Sequence, residues 1–180
     1  MTTLFVSDLH LSILRPEKLA LFMRLMTGPA IKADAFYILG DLFDDFWIGC
    51  DDDYYPNQEV ISILREYSAN SSTKLFIMRG NRDFHLNQEF ANATSCTLIE
   101  DPTEIILDDQ KVLLLHGDTL CTDDVKYQKW RRFITNPFIK WLYSVMSLKL
   151  RTHISRKVRG YSVEAVQKKA PEIIDVTKKS

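Results

Sequence analysis

Four apolar runs of strand length, residues 3–7, 35–39, 74–78 and 111–115, punctuate this chain, and each closes on a polar phrase of metal-ligating type. The runs read Thr-Leu-Phe-Val-Ser, Ala-Phe-Tyr-Ile-Leu, Lys-Leu-Phe-Ile-Met and Lys-Val-Leu-Leu-Leu. Short and rich in bulky apolar residues, they are the right length for buried strands. Between the first two, Pro16 to Thr27 sets Leu19, Phe22, Met23 and Met26 at helical spacing, with Pro16 in the first turn and Gly28-Pro29 as a stop. Between the second and third, Pro56 to Ala69 sets Val60, Leu64 and Tyr67 on one face. Strand, helix, strand, helix, strand predicts an α/β fold with a largely parallel sheet covered by helices. Glu104 to Leu107, followed by Asp108-Asp109, predicts a hairpin into 111–115.

A chain of 180 residues, 46% of them hydrophobic, is long enough for one domain with a sizeable core. Its three cysteines (Cys50, Cys96 and Cys121) make no C-x-x-C and no paired framework, so a reducing cytoplasm is expected. The first residues have no basic segment, and Asp8 interrupts their apolar run, which is not the pattern of a signal peptide. The net charge of −1 conceals a division: residues 1–124 hold 9 Lys/Arg against 21 Asp/Glu, residues 125–180 hold 14 against 3. The basic part is expected to face an anionic partner, either phosphate or a membrane surface.

From Thr122 the pattern becomes helical. Thr122 or Asp123 is placed to cap a helix carrying Tyr127, Trp130, Phe133 and Ile134, which Asn136-Pro137 breaks. A second helix is predicted from Phe138 to about Arg159, with Trp141, Leu142, Val145, Met146 and Leu148 among basic residues. The expected organisation is a core over 1–121, a helical cap over 122–170 above the ligand-bearing edge, and the start of a return to the core over 171–180.

The polar phrases are Asp8-Leu9-His10, Gly40-Asp41, Gly80-Asn81-Arg82-Asp83 and His116-Gly117-Asp118. Ligands of open α/β sheets bind beyond the carboxyl ends of the strands, so Asp8, His10, Asp41, Asn81 and His116 are expected on one edge. In an extended Asp-x-His tripeptide the two side chains point the same way and can grip one ion. Asp41 can bridge two ions, with Asn81 and His116 completing the second site. Mixed carboxylate, amide and imidazole ligands suit Mn²⁺, Fe or Zn²⁺; Mn²⁺ is the expectation. Gly40, Gly80 and Gly117 sit beside these ligands, where backbone must approach closely.

These four phrases, in this order, resemble the calcineurin-like metallophosphoesterases. The flanking runs narrow the likeness: Leu-Phe-Val-Ser-Asp-Leu-His-Leu, Tyr-Ile-Leu-Gly-Asp-Leu-Phe-Asp, Trp47-Ile48-Gly49 before Asp51–Asp53, Gly-Asn-Arg-Asp-Phe, and His-Gly-Asp-Thr-Leu-Cys-Thr-Asp-Asp. With Ile174-Asp175-Val176 near the end, they are similar to the branch of that family that acts on UDP-2,3-diacylglucosamine in lipid A biosynthesis. The resemblance implies a layered α/β sandwich with an inserted helical cap, and two divalent ions that activate water against the substrate's diphosphate, releasing UMP and an acylated glucosamine 1-phosphate. It implies catalytic roles for Asp41, Asn81, Arg82 and His116, and substrate contacts from Asn81, Arg82, Asp124, Ser162 and Lys169. Arg82 stands where many relatives have His; a guanidinium stabilises charge rather than donating protons, which suffices for a phosphate leaving group. Other readings stand beside these. Arg82 can pair with Asp83, Asp124 can serve as a plain helix cap, and Ser162 and Lys169 can lie on a solvated face. Val166 stands where relatives often have a polar residue.

In the cap, Phe133, Phe138, Trp141, Leu142 and Met146 either bury against the domain or line an acyl-chain chamber. With Lys140, Lys149, Arg151, Arg156, Lys157 and Arg159 they suit peripheral contact with the cytoplasmic face of the inner membrane. An acidic sheet half argues against a nucleic-acid partner. The alternatives are another metal-dependent phosphodiesterase or phosphatase, and a non-catalytic lipid-binding remnant. The resemblance also implies a Gly-His-x-His loop, whereas none of the four histidines within 1–180 lies one residue from another. Without that loop and its strands, open sheet edges are expected to favour self-association. The expected outcome for the purified 180 residues with Mn²⁺ is little or no hydrolysis, and full turnover in that assay overturns the expectation.

Overall fold

Alternate residues of one apolar run serve two different cores. In the computed structural model, which describes residues 2–44, 56–167, 169, 173 and 177, Phe36 and Ile38 belong to one hydrophobic cluster while Ala35 and Tyr37 belong to another. That is why 35–39 shows no polar alternation: both of its faces are covered. The run forms β2 (Ala35–Leu39), flanked in a parallel sheet by β1 (Thr3–Val6) and β3 (Lys74–Met78), with β4 (Thr97–Ile99) beside β3. Leu75 and Ile77 of β3 join Phe36 and Ile38, and Phe76 and Met78 join Tyr37. On the second face Phe5, Tyr37 and Phe76 stand in register and stack, with ring centroids 5.1 Å and 4.6 Å apart.

Helices cover the first face. Helix α1 (Pro16–Thr27) buries Leu19, Phe22 and Met26, and α2 (Asn57–Asn70) buries Val60, Ile61, Leu64 and Tyr67. Met23, expected on the buried stripe of α1, is 42% exposed, because it falls on the flank of the face centred on Phe22. Helix α3 (Gln88–Thr94) and β4 were not anticipated. Seven and three residues are too few for a period to show, and α3 begins instead on Asn87, whose side chain accepts the Phe90 N–H.

The second face is covered by a hairpin, β5 (Thr103–Leu107) and β6 (Gln110–Leu114). Asp108 and Asp109 form its two-residue turn, both with positive φ (47° and 62°), the sense of twist that a tight hairpin requires. The run 111–115 is therefore not a fourth strand of the parallel sheet. That place belongs to β4, and His116 reaches the site from the second layer.

Chain contacts divide the protein into Met1–His116, just described, and Gly117–Ser180. The second unit contains α4 (Val125–Ile134), α5 (Pro137–Val145) and α6 (Leu148–Gln167). Asp124, not Thr122 or Asp123, caps α4 by accepting the Tyr127 N–H. The single helix expected over 138–159 is two, since Met146 is extended (ψ 151°) and Ser147 precedes a fresh start. Asp118 ties the entry turn to α4, accepting hydrogen bonds from the Tyr127 hydroxyl and from Arg131 Nε (2.7 Å). The stretches Trp47-Ile48-Gly49, Asp51–Asp53 and Ile174-Asp175-Val176 lie outside the described residues, as does the side chain of Val166.

Candidate metal centre

Three loops leave the carboxyl ends of β1, β2 and β3, and backbone hydrogen bonds fasten the first to the second. Asp8 N–H donates to Gly40 O (3.2 Å), His10 N–H to Asp41 O (2.9 Å) and Leu11 N–H to Leu42 O (2.9 Å). Asp8, His10 and Asp41 all adopt the left-handed backbone region, with φ of 55°, 49° and 53°. For residues other than glycine this conformation costs about 1–3 kcal/mol each and persists only where surroundings enforce it. The Asp-x-His tripeptide is thus not extended, as its spacing suggested. Successive kinks, rather than strand alternation, bring one ligand atom from each of Asp8, His10 and Asp41 within 4.8 Å of one another.

The third loop closes on the second through a buried carboxylate. Asp83 is fully buried and accepts N–H bonds from Leu42 (2.8 Å) and Gly80 (2.6 Å), so one side chain pins the ends of β2 and β3 together. Asp41 in turn accepts from Arg82 N–H at Oδ1 (2.8 Å). The two backbones lie so close that a Cβ on Gly80 would overlap Asp41 Oδ1 and its amide nitrogen. One on Gly40, itself at φ 91°, would overlap the His116 ring and approach Gly80 Cα at 2.8 Å. Sequence reading named these glycines but missed Asp83 as the pin; only its place in Gly-Asn-Arg-Asp hinted at a role.

His116 arrives from β6, its N–H held by Asp101 Oδ1 (3.2 Å). Its Nδ1 lies 2.9 Å from the Leu39 carbonyl, which can only accept, so Nδ1 carries the proton. Nε2 is left as the electron-pair donor, 3.7 Å from Asp41 Oδ1. This tautomer is the one a metal requires. Asn81 is drawn in by its backbone, whose N–H points at His116 Nε2 (3.4 Å). All five expected ligand positions thus gather on the same edge of one unit. Arg82 makes no side-chain ion pair among the described residues; Asp83 is occupied by backbone donors instead.

Asp124, Ser162 and Lys169 belong to the second unit. Asp124 is buried, caps α4 and pairs with Lys169 Nζ, while Ser162 is half-buried on α6. Both the capping role of Asp124 and an engagement of Lys169 are therefore present.

Charge at the centre is unbalanced. Burial, reinforced by the neighbouring Asp83, pushes the Asp41 carboxyl up to about 7, and burial raises Asp83 as well. Burial lowers His10, whose Nε2 lies 3.7 Å from both Asp8 Oδ1 and Asp41 Oδ2. Its Nδ1 is 3.8 Å from Asp44 Oδ1, a carboxylate that the ligand phrases alone did not single out. A cation removes this conflict, since it holds carboxylates ionised and imidazole neutral. The donor set therefore fits a divalent ion.

A family model of calcineurin-like phosphoesterases matches residues 1–153. The chain belongs to the calcineurin-like phosphoesterases. Within that family it is 44% identical to a protein of Azotobacter vinelandii named UDP-2,3-diacylglucosamine hydrolase, over 98% of this chain and 73% of the relative. A protein of the same name from Pectobacterium carotovorum is 46% identical over 98% of this chain and 72% of its own length. Calcineurin-like phosphoesterases use divalent metal ions, in agreement with the donors found here.

Two outcomes follow from this geometry. Between pH 4 and 7 the metal-free fold holds a proton on Asp41 that the unfolded chain has lost, so its stability falls as pH rises through that window. Divalent ion abolishes the fall, and its uptake near pH 6 releases protons, measurable by calorimetry in buffers of different ionisation enthalpy. Gly80→Ala destabilises the protein by about 1–3 kcal/mol through overpacking and lowers metal uptake, readable by denaturant unfolding and metal analysis.

Proposed function

We propose that this chain hydrolyses the diphosphate of UDP-2,3-diacylglucosamine, yielding UMP and 2,3-diacylglucosamine 1-phosphate, with two divalent ions, most suitably Mn²⁺. The observation that carries this reading is the convergence of Asp8, His10 and Asp41 within 4.8 Å, with His116 Nε2 facing Asp41, in a chain whose relatives bear that substrate in their name. Asp8, His10 and Asp41 would hold one ion, and Asp41, Asn81 and His116 would hold the other. When bound, the ions supply a water of lowered pKa and neutralise charge on the phosphoryl oxygens.

The chain's own residues do the rest. Leu39 and Asp101 fix His116, and the pin made by Asp83 sets the distance between the Asp41 and Asn81 loops. Arg82, in the loop beside Asp41, donates hydrogen bonds in a planar fork to the diphosphate. It supplies no proton, and a nucleoside monophosphate leaves without one. In the second unit, Asp124, Ser162 and Lys169 are the residues that the family resemblance assigns to the sugar nucleotide, and Asp124 and Lys169 are paired with each other.

The apolar side of the second unit supports a lipid substrate and peripheral membrane contact on the cytoplasmic face of the inner membrane. Phe138 is 64% and Trp141 57% exposed, with Phe133 and Val145 also exposed and Lys140 between them. Among the described residues no helix is long and apolar enough to cross a membrane. Among the described residues β1 and β4 end the parallel sheet, and such edges support self-association.

Incubation of residues 1–180 with UDP-2,3-diacylglucosamine and Mn²⁺ releases UMP slowly and well short of full turnover, followed by phosphorus NMR, yet in preference to cleavage of bis(p-nitrophenyl) phosphate. Asp41→Asn abolishes that release, and Arg82→Met lowers it by ~10²-fold or more, in the range of lost charge-stabilising donors. Cleavage of the generic diester alone replaces this reading with a general phosphodiesterase. Retention of lipid without any metal replaces it with a binding remnant.

A further inference from the structure

The strained Asp8-Leu9-His10 turn is braced on its N–H side by β2 and its loop: Asp8 and His10 donate to Gly40 O and Asp41 O. On its carbonyl side one side chain reaches it. Lys18 Nζ lies 3.0 Å from Leu9 O, the carbonyl midway between the two left-handed residues. Lys18 is the third residue of α1, where the helix dipole disfavours a positive charge and where Glu or Asp is the ordinary choice. A residue that opposes its local rule calls for a tertiary reason, and the Leu9 carbonyl provides one.

The helix is a firm base for such a brace. Leu19, Phe22 and Met26 fix α1 in the main core, Pro16 fixes its first turn, and Ser12 holds the approach through Arg15 N–H (3.0 Å) and Leu14 N–H (3.2 Å). Lys18 itself is half-buried, so its stem is constrained by packing. Leu11, immediately after the turn, is buried and bridged to Phe43. Rotation of the Leu9 peptide is thus resisted from both sides, and that peptide orients Asp8 and His10 together.

We propose that Lys18 is a positioning residue that locks the Leu9 peptide and thereby sets the Asp8 and His10 ligands for a divalent ion. This rests on the metal-centre reading for its consequence but not for its mechanics. Hydrogen exchange of the metal-free chain reads the mechanics: amides of residues 8–11 exchange faster in Lys18→Met and at the parental rate in Lys18→Arg, which restores a donor. Titration with Mn²⁺ alone reads the consequence. Lys18→Met binds ~10-fold more weakly, the size of effect expected for a support of metal ligands, and Lys18→Arg recovers most of the loss. A purely structural lysine lowers the unfolding midpoint in Lys18→Met without changing local exchange or Mn²⁺ affinity, and that result overturns the proposal. Should Lys18→Met fail to fold, Lys18→Leu, which also lacks a donor, is measured the same way, and parental exchange there with parental affinity overturns it equally. Absence of Mn²⁺ binding by the parent chain refutes the metal centre, while the exchange rates still decide whether Lys18 holds the turn.

Discussion

Asp83 holds the ends of two neighbouring strands at a fixed separation, and the rest of the centre is arranged around that bond. Its two oxygens take N–H groups from Leu42 and Gly80, one from each loop, and the carboxylate itself is fully buried. An amide in its place offers one acceptor and leaves a buried N–H unpaired, with a penalty of about 1–3 kcal/mol. With this separation fixed, Gly80 must lack a side chain, because Asp41 occupies the space. Gly40 must lack one because His116 does.

The same closeness generates the chemistry. Asp41 and Asp83 share a buried region, and Asp8 and His10 are kinked toward Asp41 from the next loop. In such surroundings a carboxylate resists ionisation, so the fold stores an electrostatic conflict that a divalent cation relieves. Local backbone strain at Asp8, His10 and Asp41 has the same origin. The ligands occupy conformations that an isolated loop would not populate, and the core beneath holds them there.

The second unit follows a different economy. Its helices are set by local rules: Asn136 caps α5, Asp124 caps α4, and Asp118 gathers Tyr127 and Arg131. Few of its large apolar side chains are buried, Ile134 being the described example on α4. Exposed aromatics interleaved with basic residues form a surface suited to a lipid partner with an anionic head.

Much was legible because the parallel strands are short, apolar on both faces and ended by polar phrases. The runs at 3–7, 35–39 and 74–78, the helices that follow the first two and the hairpin at Asp108-Asp109 could all be placed from the pattern of side chains. So could Asp8, His10, Asp41 and Asn81, since loops at the carboxyl ends of parallel strands share one edge; His116 was expected there too, though it arrives from the hairpin. Three things were not legible. The hairpin puts His116 in a second layer, which depends on how Leu114 and Val112 pack against Tyr37. The Asp-Leu-His turn is left-handed because Gly40 and Asp41 hold its amides, partners about 30 residues away. The reach of Lys18 to Leu9 needs the helix already docked. Composition and spacing decide which residues can be strands, caps or ligands, for these are properties of a residue and its near neighbours. Backbone strain, the His116 tautomer and the pin made by Asp83 arise from contacts distant in sequence, so they exist only once the chain has packed.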